Sequence, residues 1–423
     1  MMKRCMQGLM GAMVALSGIV PGGMALADGF RNPPPTAEGL GIVGARYTMI
    51  DDASAAAYNP ANLMGVQKSD LLLSLTMVRS EKDFTSPLGA KDSVKEEWAL
   101  LPDLFYALPL EGGRAVAGIS VTTPYGQSSE LDRDGYFSQF SPYFAEMRTV
   151  NLNPTVAYRV NDQLDVAVGL DVMWSDLELR QVFPWSLVTL DPASPNGTAR
   201  FEGDGIGVGG NAGITWRPAA GHRVALVYRS AIDVDYEGDF TIDNVPGAGT
   251  PAAVARSRTD FESTIKFPNV VALGYGVDLS DRLSVGAEVE WFQWSRYDEQ
   301  TLDIAENAPL LGGRDTITTD WDDALNFGAG AAYRLDDQWT ARASYIFLAS
   351  PIPDETMLPV LAENDQHVIS IGLGYASGAH RLDLAYGIGI YDDRDIDNNQ
   401  QPALNGKYEF SSHLLAVSYG VQL

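Results

Sequence analysis

Between Thr149 and Val160 the chain alternates strictly. Val150, Leu152, Pro154, Val156, Tyr158 and Val160 are apolar, and Thr149, Asn151, Asn153, Thr155, Ala157 and Arg159 between them are polar or small. A turn at Asn161-Asp162 follows, then Leu164, Val166, Val168, Leu170, Val172 and Trp174 repeat the pattern. A period of two marks a strand whose two faces meet different surroundings. The same unit recurs around Ser280-Asp281, Asp336-Asp337 and Ser377-Gly378, with further tight connections at Glu111-Gly112-Gly113 and from Pro218 to His222. Six short turns join twelve strands. A first strand near Leu71–Arg79 and a last at Ser411–Leu423 bring the expected number to fourteen. The opposite connections are long, roughly 81–97, 124–147, 184–202, 237–260, 298–317, 350–366 and 392–407.

Charge and leader decide where such strands reside. Lys3 and Arg4, the apolar run Leu9 to Val20 and the small-residue box Ala25-Leu26-Ala27 read as a secretory signal peptide over 1–27. The one cysteine, Cys5, would leave with it, so neither a disulfide framework nor thiolate metal ligation is expected. With 29 basic against 55 acidic residues, the chain repels nucleic acid. No later stretch reaches the roughly eighteen continuous apolar residues of a membrane helix. Yet 45% of the residues are hydrophobic, with 18 Tyr and 8 Trp. An all-β, 14-stranded antiparallel transmembrane barrel reconciles these facts, because its apolar residues are spread along alternating strands, with short periplasmic turns and long outer loops. A soluble sandwich or propeller is the competing reading, but paired runs of about ten residues suit a bilayer better.

Residues 28–68 do not alternate. Pro33-Pro34-Pro35 precedes GLGIVGARY, and Asp51, Asp52 or Ser54 can cap a short helix over the alanines that follow. Pro60 is expected to end that helix. The segment is too short for a domain and too apolar for a solvated tail, so it is expected inside the barrel of residues 69–423 as a plug. Asp28-Gly29-Phe30, GLG at 39–41, Asn59-Pro60-Ala61, TPYGQ at 123–127, RTVNLNPTVAYRVND at 148–162, FPNVVALGY at 267–275, EVEWFQWSRYDE at 288–299 and SPIPDETMLPVLAENDQHVISIGLGY at 350–375 carry a resemblance over nearly the whole mature chain. The chain resembles the FadL family of outer-membrane transporters for long-chain fatty acids and other hydrophobic compounds. The resemblance implies a barrel closed by an N-terminal hatch, ligand capture among the outer loops, passage to an inner pocket, and sideways exit at an inward kink in an early strand. It departs at Leu423, where such barrels usually end in an aromatic.

The same resemblance implies roles for single residues. Phe30 would contact ligand, or else simply pack against the wall. Asn59, Pro60 and Ala61 would form a gate element against the strand AVAGISVTT, where Gly118 marks a bulge or a close approach. Gly203, Gly205, Gly207 and Gly209 share one strand face, leaving room for hatch or ligand or marking a flexible strand end. GIGVGG opens no helix, so it is not a dinucleotide fingerprint. Two apolar loop clusters, one with Phe183, Trp185 and Leu187 and the other with Met357, Leu358 and Val360, are candidates for the outer groove. Arg159, Arg334 and Arg342 lie on the lumen parity as head-group cations, unless they pair with lumen acids such as Glu288 and Glu290.

Asp393, Asp395 and Asp397 lack the glycine and closing glutamate of a calcium loop, and the four histidines are scattered, so neither metal nor cofactor is expected. The expected function is passive uptake of hydrophobic molecules, long-chain fatty acids first and aromatic hydrocarbons as the alternative. A lipid hydrolase lacks any visible activated serine, and an open porin would lack the plug. The expected partners are the ligand and the lipid and lipopolysaccharide of the outer membrane, around a monomer.

Overall fold

The computed structural model describes residues 28–95, 98–247, 257–305 and 313–423; the leader expected over 1–27 lies outside them. Fourteen antiparallel strands close into one barrel. They are β1 (Asp70–Thr85), β2 (Lys91–Ser93 and Ala99–Pro109), β3 (Ala115–Thr122 and Gly126–Glu130), β4 (Phe144–Asn161), β5 (Leu164–Phe183), β6 (Gly197–Trp216) and β7 (His222–Arg229 and Ile232–Ile242). The circuit continues with β8 (Arg258–Phe267 and Val270–Asp278), β9 (Leu283–Phe292 and Glu299–Ile304), β10 (Gly313–Thr318 and Ala324–Arg334), β11 (Trp339–Leu348), β12 (Gln366–Ser377), β13 (His380–Tyr391 and Arg394–Ile396) and β14 (Gly406–Gln422). β1 pairs β14 along its whole length, Asp70 opposite Gln422 and Thr85 opposite Lys407, so no free edge remains. All six short turns fall where the alternation puts them.

Lipid and lumen faces separate as their polarity dictates. On β4, Val156, Tyr158 and Val160 are exposed, whereas Asn151, Asn153, Thr155 and Ala157 are buried inward. Each of the four histidines places Nδ1 2.7–2.8 Å from a cross-strand tyrosine hydroxyl: His222 with Tyr275, His367 with Tyr345, His380 with Tyr419 and His413 with Tyr386. These exposed pairs match the aromatic girdles of a membrane barrel, where amphipathic rings face the head groups. Among the described residues no helix is long and apolar enough to cross a membrane.

The hatch fills the lumen with short turns. α1 (Ala37–Gly41) starts at Thr36, whose Oγ1 accepts from the Gly39 N–H at 3.0 Å; α2 spans Arg46–Met49. The expected alanine helix is a single 3₁₀ turn, Ala53–Ala57, capped by Asp52 accepting from the Ser54 N–H. Pro60 does not end it. Tyr58 closes that turn, and Asn59 caps a second one, Pro60–Gly65, in which proline occupies the first position and needs no N–H donor.

The wall is not uniform. β3 breaks at Thr123-Pro124-Tyr125, β7 at Ser230-Ala231 and β8 at Pro268-Asn269, and β9 turns out of register between Phe292 and Glu299. Two of these breaks contain a proline, which cannot donate to a ladder. The glycine face of β6 is covered by wall rather than by hatch. It accommodates β7, whose Ile232 and Val234 side chains fill the space Cβ atoms would take at Gly205, Gly207 and Gly209.

Candidate functional site

β2 and β3 pair from Pro109 opposite Val116 to Leu104 opposite Val121, and beyond that β3 bends into the lumen. The hatch supplies the missing neighbour. Asn32 N–H donates to Pro124 O at 3.0 Å and Gly126 N–H to Phe30 O at 2.8 Å, forming an antiparallel bridge between Arg31 and Tyr125. Asn32 Nδ2 donates to Thr123 O at 2.8 Å, and the buried Asp103 of β2 accepts from the Thr123 N–H at 3.0 Å. The kink is thus held by the hatch and by side chains of its neighbours, Asp103 of β2 and Thr149 of β4, whose Oγ1 accepts from the Tyr125 N–H at 3.0 Å.

Below the bridge is a cavity of about 120 Å³ with a mixed lining. Arg31, Arg46, Arg229, Asp171, Asn32 and Asn151 are among its polar groups, and Met173, Ile232, Phe267 and Phe292 among its apolar ones. The buried carbonyl oxygens Asn32 Oδ1 and Asn151 Oδ1 accept no hydrogen bond, so the lining retains acceptor capacity. An aromatic roof separates this cavity from a smaller one of about 30 Å³, in which Phe30 meets Leu358 and Val360. Phe30 lies 4.8 Å from Trp321 and 5.5 Å from Tyr297, ring centre to ring centre, and Tyr125 lies 4.7 Å from Phe267.

The hatch is tied to β9 by buried charge. Arg31 forks onto Glu290 at 2.8 and 2.9 Å and pairs with Asp28 at 3.0 Å. Arg46 bridges Glu288 at 2.6 Å and Glu290 at 2.8 Å, and the Tyr47 hydroxyl donates to Glu290. Ion pairs this deep hold position because each charge is satisfied by the other; losing one partner strands the rest.

The predicted residues are distributed as follows. Asn59 and Pro60 meet β6, and the turn they open reaches β3 through Leu63. Asn59 Nδ2 donates to Thr215 Oγ1 at 2.8 Å, and a Cβ at Gly213 would lie 2.8 Å from Pro60 Cδ. Ala61 is buried behind them, its N–H capped by Asn59 Oδ1 at 3.1 Å. Gly118 does mark a close approach, to Leu63, whose Cδ1 would lie 2.8 Å from a Cβ placed there, and its strand pairs without a bulge. Arg159 binds Asp165 and the Met64 carbonyl, each at 3.0 Å; Arg342 binds Asp383 and Glu38, each at 2.7 Å; Arg334 is exposed at a short turn. None of the three reaches the cavity. Glu288 and Glu290 are paired, as expected of lumen acids, but by hatch arginines that sequence reading did not single out.

The loop clusters separate. Met357 and Val360 are buried with Leu358 near Phe30, whereas Trp185 is buried against Phe183 and donates to Asp243 O at 2.9 Å. Leu187 is 74% exposed. Tyr125 and Asp103 were also missed. Pro124 inside a strand is the signal that could have found the kink.

Glu363, in the connection between β11 and β12, accepts from the Gly29 N–H at 3.2 Å and from Ser350 Oγ at 2.9 Å. Burial pushes its carboxyl up to about 8 against those two donors, and burial raises Asp28 to about 7 against Arg31. A raised acid favours the docked state below its ordinary range near 4.5, and that contribution is lost as pH rises through about 8. Protection of the Gly29 amide from hydrogen exchange, corrected for intrinsic rates, is therefore expected to fall between pH 6 and pH 9. Glu363→Gln should flatten the Glu363 share of that slope; an unchanged slope would remove Glu363 from the account.

The long-chain fatty acid transport protein of Salmonella typhi is 23% identical to this chain over 425 residues, covering 94% of this chain and 93% of that one. A Pseudomonas aeruginosa FadL homologue of known structure superposes with a TM-score of 0.82 at 20% identity, covering 93% of this chain and 99% of that one. The Ralstonia pickettii toluene transporter TbuX does so at 0.70 and 18%, with 94% and 99% covered. The family described as outer membrane protein transport protein (OMPP1/FadL/TodX) matches residues 18–423. With a hatch-filled barrel and that match, the chain belongs to the OMPP1/FadL/TodX family of outer-membrane transporters for hydrophobic compounds.

Proposed function

We propose that the ligand is an amphipathic acid of the long-chain fatty acid type, captured by the outer loops, carried past Phe30, and released sideways at the β3 kink when residues 28–32 leave it. One observation carries this reading: the cavity under the bridge is lined by both charged and apolar groups. Arg31, Arg46 and Arg229 contribute guanidinium groups, and Met173, Ile232, Phe267 and Phe292 contribute apolar surface, with Arg31 lying 4.6 Å over the Phe292 ring. A carboxylate head group can accept from the guanidinium groups while an alkyl chain covers the apolar side chains. A plain hydrocarbon such as toluene can use only the apolar part of that lining. At about 120 Å³ the cavity is smaller than the roughly 300–1,000 Å³ of ordinary ligand pockets, so a long chain requires the bridge to open. Flux follows the gradient, and the ligand's differential contacts bias the hatch.

The function is tested by uptake of radiolabelled oleate and toluene in cells lacking the gene, with and without the gene restored. Oleate uptake should depend on the gene at least fivefold and toluene uptake less. Dependence confined to toluene would transfer the reading to aromatic hydrocarbons, and uptake of both without the gene would end it.

A further inference from the structure

The glycine run of β6 lies away from the β3 kink, at a second irregularity of the wall. β6 pairs β7 from Trp216 opposite Val224 to Asn211 opposite Arg229, and again from Asp204 opposite Glu237 to Ala199 opposite Ile242. Between these two ladders, Gly205 to Gly209 have no register partner on β7, while Gly210 is held by Ser230, whose N–H donates to Gly210 O at 2.8 Å. There β7 is displaced inward and lies under β6: a Cβ at Gly207 would be 2.7 Å from Asp233 O, and one at Gly209 2.7 Å from Ile232 Cγ1. Tyr236 passes beneath β6 altogether and donates to Ser175 Oγ of β5 at 2.8 Å. Outside this overlap, Val208 is 61% exposed on the lipid face; inside it, Ile232 lines the cavity. Under the bare glycine backbone pack Ile232 and Val234, the first of which also lines the cavity.

The other edge of this piece of wall also lacks ladder pairing and is tied by side chains instead: Arg296 donates to Phe267 O and to Asp233, each at 3.0 Å, and Lys266 to Asp298 at 2.9 Å. β8 pairs β9 at Val270 opposite Phe292 and next at Ser263 opposite Leu302, so Thr264 to Phe267 have no ladder partner on β9. β7 and β8 remain paired to each other throughout, Ile232 opposite Phe267 and Tyr236 opposite Ser263, and both are broken at the same level, Ser230-Ala231 beside Pro268-Asn269. At that level Asn269 Oδ1 accepts from the Ala231 N–H at 2.9 Å and its Nδ2 donates to Gln293 at 2.7 Å. Side chains there do what ladder bonds do elsewhere.

We propose that the paired segments Ile232–Tyr236 and Ser263–Phe267 form a movable panel, and that the seam between this panel and the glycine face of β6 is a second lateral portal for hydrophobic ligand, between cavity and membrane. The portal rests on the transport reading above and is separate from the β3 kink. Larger residues at Gly205, Gly207 or Gly209 would hold the panel away from the wall, which is the physical reason for glycine on that face.

The mature chain is expected to contain no cysteine, so two disulfide locks can be compared in the full-length protein. Gly207→Cys with Ile232→Cys closes the seam, and Arg31→Cys with Tyr125→Cys closes the kink. Oxidation of the seam lock should reduce uptake of radiolabelled oleate and toluene by at least threefold, reversed by dithiothreitol. Unchanged uptake with the seam locked, while the kink lock abolishes it, would overturn the portal. If neither lock has an effect, the transport reading fails and the portal with it. Should the seam pair not assemble, Ile232→Cys alone serves: membrane-dissolved pyrene maleimide should label it at least threefold faster when oleate is present, and an equal rate would overturn the portal.

Discussion

Replacing Arg46 by methionine will unseat the hatch while leaving the barrel closed. Arg46 is almost wholly buried and bridges Glu288 and Glu290, two acids on the same face of β9. Without it Glu288 keeps only the Tyr47 N–H, at 3.4 Å, and Glu290 keeps Arg31 and the Tyr47 hydroxyl. Stranding a buried charge in this way costs about 3–5 kcal/mol, against a gain of only a few tenths from the apolar stem retained. The barrel ladder contributes nothing to that loss, so heat-modifiable migration and strand content should remain those of the parent. Hydrogen exchange over residues 37–65 should accelerate by two to three orders of magnitude, and planar bilayers should show conductance that the seated hatch prevents. Arg46→Met combined with Glu288→Gln should recover most of the loss, because the pair is then removed rather than broken. A double variant no better than the single would show that Arg46 acts by packing alone.

That network shows where a single sequence stops being informative. Barrel strands are legible because lipid and lumen act on alternate residues of one strand, and the record is local. Glu288 and Glu290 could be assigned to the lumen for this reason, and so could Arg159 and Arg342. Which charges meet depends on strand tilt and shear around the barrel, and on where the hatch lies against each strand. Those are long-range quantities with no periodic trace. Arg159 and Arg342 accordingly have the expected orientation but hold Asp165 and Asp383, while the arginines that reach the cavity are Arg31 and Arg46, from the hatch, and Arg229. The Asn59-Pro60 turn shows the same limit. Its local chemistry, a cap followed by proline, is written in the sequence; that Asn59 docks on β6 while Leu63 of the same turn reaches Gly118 of β3 is not.

Glycine supplies the other large effect. Gly44 lies between α1 and α2 where the hatch touches the wall backbone to backbone. A Cβ there would overlap Ala329 N and Tyr345 O and lie 2.7 Å from the Gly328 carbonyl carbon. All three atoms belong to hydrogen-bonded strands, β10 and β11, whose register runs unbroken from Phe327 opposite Phe347 to Arg334 opposite Thr340. Such a wall cannot yield by rotating a side chain, so the hatch must lift. Overpacking a site that can adjust costs about 1–3 kcal/mol, and a rigid one costs the upper end or more. Gly44→Ala is therefore expected to weaken hatch docking by about 3 kcal/mol, again without loss of the barrel. Gly387→Ala is the matched comparison. Its Cβ would meet only the side-chain ends of Leu414 and Leu40, at 3.2 and 3.3 Å, and those can turn away. Its cost should stay under about 1 kcal/mol. Exchange protection of residues 37–49 measured on both variants separates the two cases. If Gly44→Ala left that protection unchanged, the hatch would not be seated by backbone contact, and the side-chain network on β9 would have to hold it alone.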